Sequence, residues 1–457
     1  MSHILTRNFD RRGFLRLGTQ TAASAGLLAT LGSLQTAMAA SDTSGYKALV
    51  CVFLAGGNDS YNWLVPRSDA AYSDYAASRK NLALAKADLL AINPSNTGSA
   101  LYGLNKACPE IQGLFESGKA AFVVNNGPLV QPTTVAQFKA ESVPLPPQLF
   151  SHSDQQALTQ TCIANSNERY GWAGRTADLL NSQGFRQPLA MNVSINGNNI
   201  FQGGRDTVFY SLGSNGAPEM RLYRDKNYRG GKRRELFLEL LRQSGNDPNL
   251  LQQEYGSTLT RSYQTAETVN AALASVPPLT TTFGTDRLSR QLKMAAQMVR
   301  ARDALGVKRQ VFFVQMGGWD FHDTLLTSQA TELATLSKAL KSFQDALAEI
   351  SAENLVTSFV ASEFGRTLTS NGDGTDHGWG GHTLVMGGAV QGRKLYGSYP
   401  SLALKGPDDT GRGALLPTTS TDQVAATLAQ WFGVSNGDLD TVFPNLRNFS
   451  QRNLGFV

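Results

Sequence analysis

Four continuous apolar runs punctuate the chain, and each stops at a turn rich in glycine or acid. Ala48 to Leu54 ends in Ala55-Gly56-Gly57, Ala120 to Asn125 in Asn-Gly-Pro, Val311 to Met316 in Gly317-Gly318, and Leu355 to Ala361 in Ser362-Glu363. Runs of this length without polar alternation predict strands buried on both faces, as in a parallel sheet covered by helices. Between the third and fourth runs, Leu333, Leu336, Leu340, Phe343, Leu347 and Ile350 recur at three- and four-residue spacing, one stripe of an amphipathic helix. The order strand, helix, strand predicts a β-α-β unit with a right-handed crossover and parallel strands. A second helix is predicted over about 286–302 from Leu288, Leu292, Ala295, Ala296 and Val299. Near the C-terminus, Thr421 reads as an N-cap, Val424, Leu428, Trp431 and Phe432 as the apolar face, and Gly433 as the stop. Residues 190–284 break the pattern with short alternating pieces, Asn- and Gly-rich turns and charged helical stretches. They predict an insertion or cap on a doubly wound α/β domain, since no linker bounds them.

The N-terminus adds a different signal. Residues 10–16 read Asp-Arg-Arg-Gly-Phe-Leu-Arg, followed by a weakly apolar stretch from Leu17 to Leu34 and then Ala37-Met38-Ala39. A basic head with Arg11 and Arg12, a short apolar centre and a small-x-small end resemble a twin-arginine export signal over 1–39. An amphipathic helix is the competing reading. The stretch is too short and polar for a membrane span, which needs about 20 apolar residues. The expectation is cleavage after Ala39 and delivery by the Tat export machinery to the periplasm or beyond.

Composition changes the picture in two places. The chain has 457 residues, 17% charged and 41% hydrophobic, the profile of a globular protein. Its pI near 9.0 owes much to the signal, whose removal takes four arginines against one aspartate and lowers the formal charge from +5 to about +2. With no basic run longer than Lys232-Arg233-Arg234, nucleic-acid binding has no electrostatic footprint. Three cysteines are too few for a disulfide scaffold, zinc fingers or an iron–sulfur cluster; Cys108 and Cys162 could pair, while Cys51 sits in the first strand.

With only five histidines, each is worth locating. In open α/β sheets, ligands bind beyond the C-terminal ends of the strands. There lie Gly56-Gly57-Asn58-Asp59-Ser60, Gly317 to Asp323, Ser362-Glu363-Phe364-Gly365-Arg366, and just downstream Gly374 to His382. Asp59, Asp320, Asp323, Glu363 and Asp376 would then meet His322, His377 and His382 on one edge. Carboxylates and imidazoles without thiolate suit Zn²⁺ or Mn²⁺, whereas Ca²⁺ or Mg²⁺ prefer all-oxygen shells. Arg366 could form a fork on phosphate or sulfate. Any one of these motifs reads equally well as an ordinary surface loop; their joint placement favours a site. His152 lies in Phe150-Ser151-His152-Ser153-Asp154-Gln155, ahead of a helix predicted from near Asp154, where a serine is either a cap or a nucleophile. No Gly-x-Ser-x-Gly elbow, no Gly-x-Gly-x-x-Gly after the first strand and no Cys-x-x-Cys-His occurs, which leaves serine esterases, flavin, nicotinamide and c-type haem without support.

The ordered set of Gly56-Gly57-Asn58-Asp59, Phe150-Ser151-His152, Gly171-Trp172-Ala173-Gly174-Arg175, Gly317-Gly318-Trp319-Asp320, Ser362-Glu363-Phe364-Gly365-Arg366-Thr367 and Asp376-His377-Gly378 resembles one exported bacterial family. This is domain of unknown function 1501, distantly related to the alkaline phosphatase and sulfatase superfamily, and the resemblance spans nearly all of 45–457. It implies a single doubly wound, mostly parallel, alkaline phosphatase-like domain with the insertion at about 190–284. By superfamily analogy it implies a metal-dependent hydrolase of phosphate or sulfate esters. On that analogy Asp59 matches the first metal-binding aspartate. Asp320 and His322 resemble an Asp/His pair, spaced two apart in place of four. Glu363 falls on an Asp-His pair whose histidine is here Phe364. His377, with His382 second, resembles the last metal-binding histidine. Ser151 is the positional candidate for the nucleophile, with Ser60 and Ser153 behind it, and Arg366 would steady developing charge. The implied ligands Asp59, Asp320, His322, Glu363 and His377 would hold one or two divalent cations, Zn²⁺ or Mn²⁺ ahead of Ca²⁺ or Mg²⁺, and the missing histidine leaves one of two sites short. No Cys/Ser-x-Pro-x-Arg motif is present, so a formylglycine sulfatase is not expected. The substrate would be a small anionic ester or an anionic glycan. The alternative is a non-catalytic exported binding or assembly protein that uses the same cleft, and Phe364 is the feature that favours it.

Overall fold

The computed structural model describes residues 41–217 and 229–457. The expected export signal, 1–39, lies outside the described residues. Strand β1 (Lys47–Leu54) explains why its run is continuous. Ala48, Val50, Val52 and Leu54 enter one core, while Leu49, Cys51 and Phe53 enter another. Successive side chains point to opposite faces of a strand, so a strand covered on both faces tolerates no polar alternation.

The remaining strands that position the site are β2 (Ala120–Gly127), β3 (Asn192–Ser194), β4 (Tyr210–Ser211), β5 (Arg309–Met316), β6 (Val356–Ser362), β7 (Arg366–Ser370), β8 (Thr375–His377), β9 (Gly381–Met386), β10 (Leu395–Tyr396) and β11 (Thr419–Ser420). The central sheet runs β10-β2-β9-β6-β1-β5-β3-β4, with β11 also on β2. β1 pairs in parallel with both β5 and β6. Within this sheet β9 alone runs against its neighbours, β2 and β6. The C-terminal ends of β1, β5 and β6 therefore share an edge with the start of β9. β5 and β6 are parallel, as their connecting helix predicts, but β1 lies between them. β7 and β8 form a separate antiparallel hairpin.

The longer helices are α1 (Asp69–Arg79), α2 (Pro109–Glu116), α3 (His152–Thr161), α4 (Trp172–Ser182), α5 (Arg229–Ser244), α6 (Leu250–Ser275), α7 (Arg287–Arg300), α8 (Leu325–Glu349) and α9 (Thr421–Phe432). α2, α7 and α8 cover one face of the sheet; α4 and α9 cover the other. α7 has its predicted stripe buried and an N-cap at Asp286, whose Oδ1 accepts from the Ser289 N–H at 2.8 Å. At α9 the cap falls one residue earlier than predicted. Ser420, not Thr421, is extended (φ −77, ψ 146) and exchanges hydrogen bonds with Gln423 in a capping box, which leaves Thr421 as the first helical residue. Asn192–Ser194 and Tyr210–Ser211 extend one end of the central sheet, Tyr210–Ser211 at its edge, although the sequence puts them inside the expected insertion. The three cysteines are buried and free. Cys108 belongs to the core on one face and Cys162 to the core on the other, so the sheet stands between them and no disulfide can span it. Among the described residues, no helix is long and apolar enough to cross a membrane.

Asp422, in the first turn of α9, is fully buried, its Oδ1 has no hydrogen-bond partner among the described residues, and burial pushes its carboxyl up to about 7. A folded-state value above the unfolded one means that its contribution is present at low pH and lost as pH rises from about 4 through about 7. Asp422→Asn should therefore stabilise the protein at pH 8 by on the order of 2–4 kcal/mol and have little effect at pH 4, measured by denaturant unfolding at both.

Candidate metal centre

The loop after β5 is seated by the loop after β1. Gly56 has φ +129, and a Cβ there would lie 2.4 Å from the Asp320 backbone nitrogen, so only glycine permits this approach. Trp319, fully buried, anchors the same turn, and its backbone N–H donates to the Ala55 carbonyl at 3.2 Å. Asp320 then projects beside the β7–β8 hairpin, in which Arg366 and His377 are register partners. Arg366, fully buried, donates from Nη1 to Asp320 Oδ1 at 2.8 Å and to the Gly56 carbonyl at 3.0 Å, and from Nε to Thr375 Oγ1 at 2.9 Å.

Three imidazoles converge on the Asp320 carboxylate. His322 Nε2 lies 3.0 Å and His377 Nε2 3.3 Å from Oδ1, while His152 Nε2 lies 3.3 Å from Oδ2. His322 Nε2 and His377 Nε2 are 3.0 Å apart. His152, Asp320 and His377 each offer a ligand atom, all within 4.8 Å of one another. The other face of two rings decides which nitrogen is free. His152 Nδ1 sits 3.0 Å from Glu363 Oε1, and His377 Nδ1 sits 2.7 Å from the Phe150 carbonyl. Both partners act as acceptors, so both Nδ1 atoms donate and the Nε2 lone pairs face inward, the tautomer that metal ligation requires. The Phe364 ring packs beneath, with centroids 5.0 Å from His152 and 4.7 Å from His377. Burial, reinforced by His152 and Arg366, holds His377 below the usual imidazole value against the pull of the Phe150 hydrogen bond. Burial would raise Asp320, but the hydrogen bond and charge of Arg366, with His322 and His152, hold it below the usual carboxylate range. At neutral pH the centre thus presents a neutral His377 and an ionised Asp320, a combination suited to a divalent cation.

The other expected site residues contribute no atom to the cluster formed by His152, Asp320 and His377. Glu363 is fully buried and accepts from Gly56 N–H at 2.8 Å, His152 Nδ1 at 3.0 Å, Gln156 Nε2 at 3.0 Å and Ser362 Oγ at 3.1 Å. Oε1 takes three of these contacts, His152 Nδ1 among them, and Oε2 takes the one from Ser362, so Glu363 acts here as an orienting partner of His152. Asp59 is fully buried in an ion pair with Arg79 of α1 and is not brought to the cluster. His382 is buried, its Nδ1 accepts from the Asn125 N–H at 3.1 Å, and burial lowers it to about 3. Ser151 occupies the N-cap position of α3, where its Oγ donates to Asp154 Oδ2 at 2.5 Å and approaches Ser153 Oγ at 3.3 Å. Ser60 Oγ accepts from the His382 N–H at 2.9 Å. Every guanidinium nitrogen of Arg366 is already bonded to protein, so this side chain positions Asp320 and does not present a fork to an anion.

Residues 46–437 match the family described as "Protein of unknown function (DUF1501)". The chain belongs to the DUF1501 family. No curated protein matches its sequence. Solved structures similar to this DUF1501 chain include Ps i-CgsB in complex with k-i-k-neocarrahexaose, at 8% identity and TM-score 0.35, covering 89% of this chain and 77% of that one. The lipoteichoic acid synthase LtaP from Listeria monocytogenes follows at 9% identity and TM-score 0.37, covering 87% and 75%. Wild-type alkaline phosphatase PafA aligns at 10% identity and TM-score 0.28, covering 71% and 63%. At such identities the chemistry has to be read from the side chains.

His152 is the member of the centre that strand-end reasoning passes over, because it follows no strand. Its marks in the DUF1501 sequence are scarcity and an aspartate two residues on. The Phe150 carbonyl leaves no mark at all: its placement depends on φ +71 and on a hydrogen bond from the Phe150 N–H to Gln155 Oε1 at 2.6 Å. Glu363→Gln should lower metal affinity roughly 10- to 100-fold, the usual effect of losing a partner that orients a ligating histidine. Competition with a chromophoric chelator measures it, and unchanged affinity would make Glu363 a bystander.

Proposed function

We propose that this DUF1501 protein is an exported, metal-dependent hydrolase of phosphate or sulfate esters. The observation that carries this reading is the convergence of the His152, His322 and His377 Nε2 atoms on one carboxylate. His152, His377 and Asp320, whose ligand atoms all lie within 4.8 Å of one another, form a donor set of intermediate hardness, which fits Zn²⁺ or Mn²⁺ ahead of Ca²⁺ or Mg²⁺. When bound, the cation would supply Lewis-acid charge to an ester oxygen and lower the pKa of water.

The protein contributes arrangement. Glu363 and the Phe150 carbonyl aim His152 and His377, Arg366 aims Asp320, and the buried Phe364 ring keeps water from the rear of the cluster. His322 differs from the other two. Its side chain is 46% exposed and its Nδ1 has Asp376 at 3.9 Å, beyond hydrogen-bond reach. That freedom suits a group that carries a proton between the leaving oxygen and solvent. Among the described residues no serine hydroxyl is hydrogen-bonded to any of the three histidines, which favours water over Ser151 as the attacking group.

The test is metal content by elemental analysis of protein prepared without chelator, together with turnover of 4-nitrophenyl phosphate and 4-nitrophenyl sulfate under added Zn²⁺, Mn²⁺, Ca²⁺ or Mg²⁺. Bound metal and turnover lost in His377→Ala are expected. Metal-free protein with no hydrolysis would sink the reading and leave the exported binding protein, which Phe364 favours by packing an inert ring against His152 and His377. Export rests on Arg11 and Arg12; replacing both by lysine should retain the protein in the cytoplasmic fraction.

A further inference from the structure

A cleft of about 550 Å³ opens beside the histidines, bounded by Phe138, Phe150, His322, Asp376, His377 and Arg412. That volume falls in the range of about 300–1,000 Å³ usual for small-molecule sites. One wall is apolar: Phe138 rests on the buried Trp379, ring centroids 5.5 Å apart, and Phe150 joins the same cluster. The other side carries Arg412.

Arg412 stands between Gly411 and Gly413 with φ +55, a left-handed conformation that disfavours any residue bearing a Cβ. The loop is built to hold it there. Buried Asp409 accepts the N–H groups of Lys405 at 2.7 Å and of Gly411 and Gly413 at 2.8 Å each, and Thr369 Oγ1 donates to the Arg412 carbonyl at 2.7 Å. A turn of this shape ordinarily takes glycine, and backbone strain kept by such over-determined support concentrates where a side chain has a task. The Arg412 side chain is 75% exposed, and its partner among the described residues is Asp376 Oδ2 at 3.1 Å. Arg366, the other arginine near the centre, is buried and committed to protein atoms. Asp376 and His322 stand between Arg412 and Asp320, so an anion on Arg412 is a different group from one at the histidine cluster.

We propose that Arg412 is a specificity-determining residue: it binds a second anionic group on an ester whose ring lies against Phe138 and Phe150. Asp376 holds the guanidinium at the cleft mouth in the free protein and yields it to the incoming anion. A planar aryl ring and the apolar face of a pyranose share the chemistry the wall would take. The inference rests on the hydrolase reading for what sits at Asp320, but it concerns the far end of the cleft.

The experiment uses non-hydrolysable phosphonates in pairs that differ by one carboxylate. Phenylphosphonate is paired with 4-carboxyphenylphosphonate, and glucosyl phosphonate with glucuronosyl phosphonate. Each is titrated calorimetrically into the metal-loaded wild type, Arg412→Gln and Arg412→Lys, with metal content measured in parallel. In at least one pair the carboxylated member should bind wild type roughly tenfold tighter, the scale of a charge-assisted fork. Arg412→Gln should lose that preference and Arg412→Lys keep part of it, with metal content unchanged; the pair showing the larger preference names the ring. Equal affinity within both pairs, or a preference that survives Arg412→Gln, overturns the proposal and leaves the hydrolase reading standing. Failure of every phosphonate to bind the metal-loaded wild type overturns both.

Discussion

Asp320→Ala is expected to abolish metal binding and ester turnover together. Among the described residues the Asp320 carboxylate is the one group that faces His152, His322 and His377 at once, and it takes a hydrogen bond from Arg366 on the same oxygen that faces His322 and His377. Loss of an outer partner alone weakens metal binding about 10- to 100-fold, so loss of the central carboxylate should exceed that and lower kcat/KM by roughly 10³ or more. Arg366 would be left buried without its anion in the alanine variant, so Asp320→Asn, which keeps the shape and an acceptor, separates folding from ligation. If Asp320→Asn retains wild-type metal affinity by chelator competition, the centre is not a metal site. The pH dependence has a definite sign. Ligating imidazoles must be neutral, so affinity falls as pH drops, but His377 is held below the ordinary imidazole value and surrenders to protons later than a free histidine would.

Arg79→Met is expected to cost about 3–5 kcal/mol of stability, because it strands the buried Asp59 carboxylate without a counter-charge. Arg79 bonds Asp59 through Oδ2, Asp59 Oδ1 has no hydrogen-bond partner among the described residues, and Arg79 Nη1 also donates to the carbonyls of Thr367 at 3.0 Å and Leu368 at 3.3 Å. The same side chain therefore ties the β1 loop to β7, the strand that opens with Arg366. The double variant Arg79→Met/Asp59→Asn removes both charges and should recover most of the loss in denaturant unfolding, since a buried pair is costly chiefly when half of it remains. An Asp59→Asn variant that keeps its stability but loses metal would return Asp59 to the ligand set.

These two variants also mark the boundary of what could be read in advance. The edge where the chemistry collects was legible, because Gly56, Gly317 and Glu363 each follow an apolar run and parallel strands bring such ends together. Asp320, His322 and His377 followed from that. Asp59 satisfied the same rule, yet its fate depends on Arg79, twenty residues on and on a helix whose packing no local pattern reveals. Glu363 stands beside the cluster but turns its oxygens to the Gly56 N–H and to His152, so proximity alone did not make it a ligand.

The sequence by itself determined the elements and their depth: a strand buried on both faces must be apolar throughout, and a helix on a sheet must repeat its apolar residues every three or four positions. It also determined the inventory, with few histidines, no suitably spaced thiolates and an arginine between two glycines at 411–413. Only the tertiary structure decided which carboxylate meets imidazole and which meets guanidinium. It alone seated β1 between β5 and β6, recruited His152 from the start of α3, and chose the tautomers of His152 and His377 through Glu363 and the Phe150 carbonyl. Local periodicity reports how much of a residue is buried, whereas ligation and ion pairing depend on which group from a distant segment shares its burial.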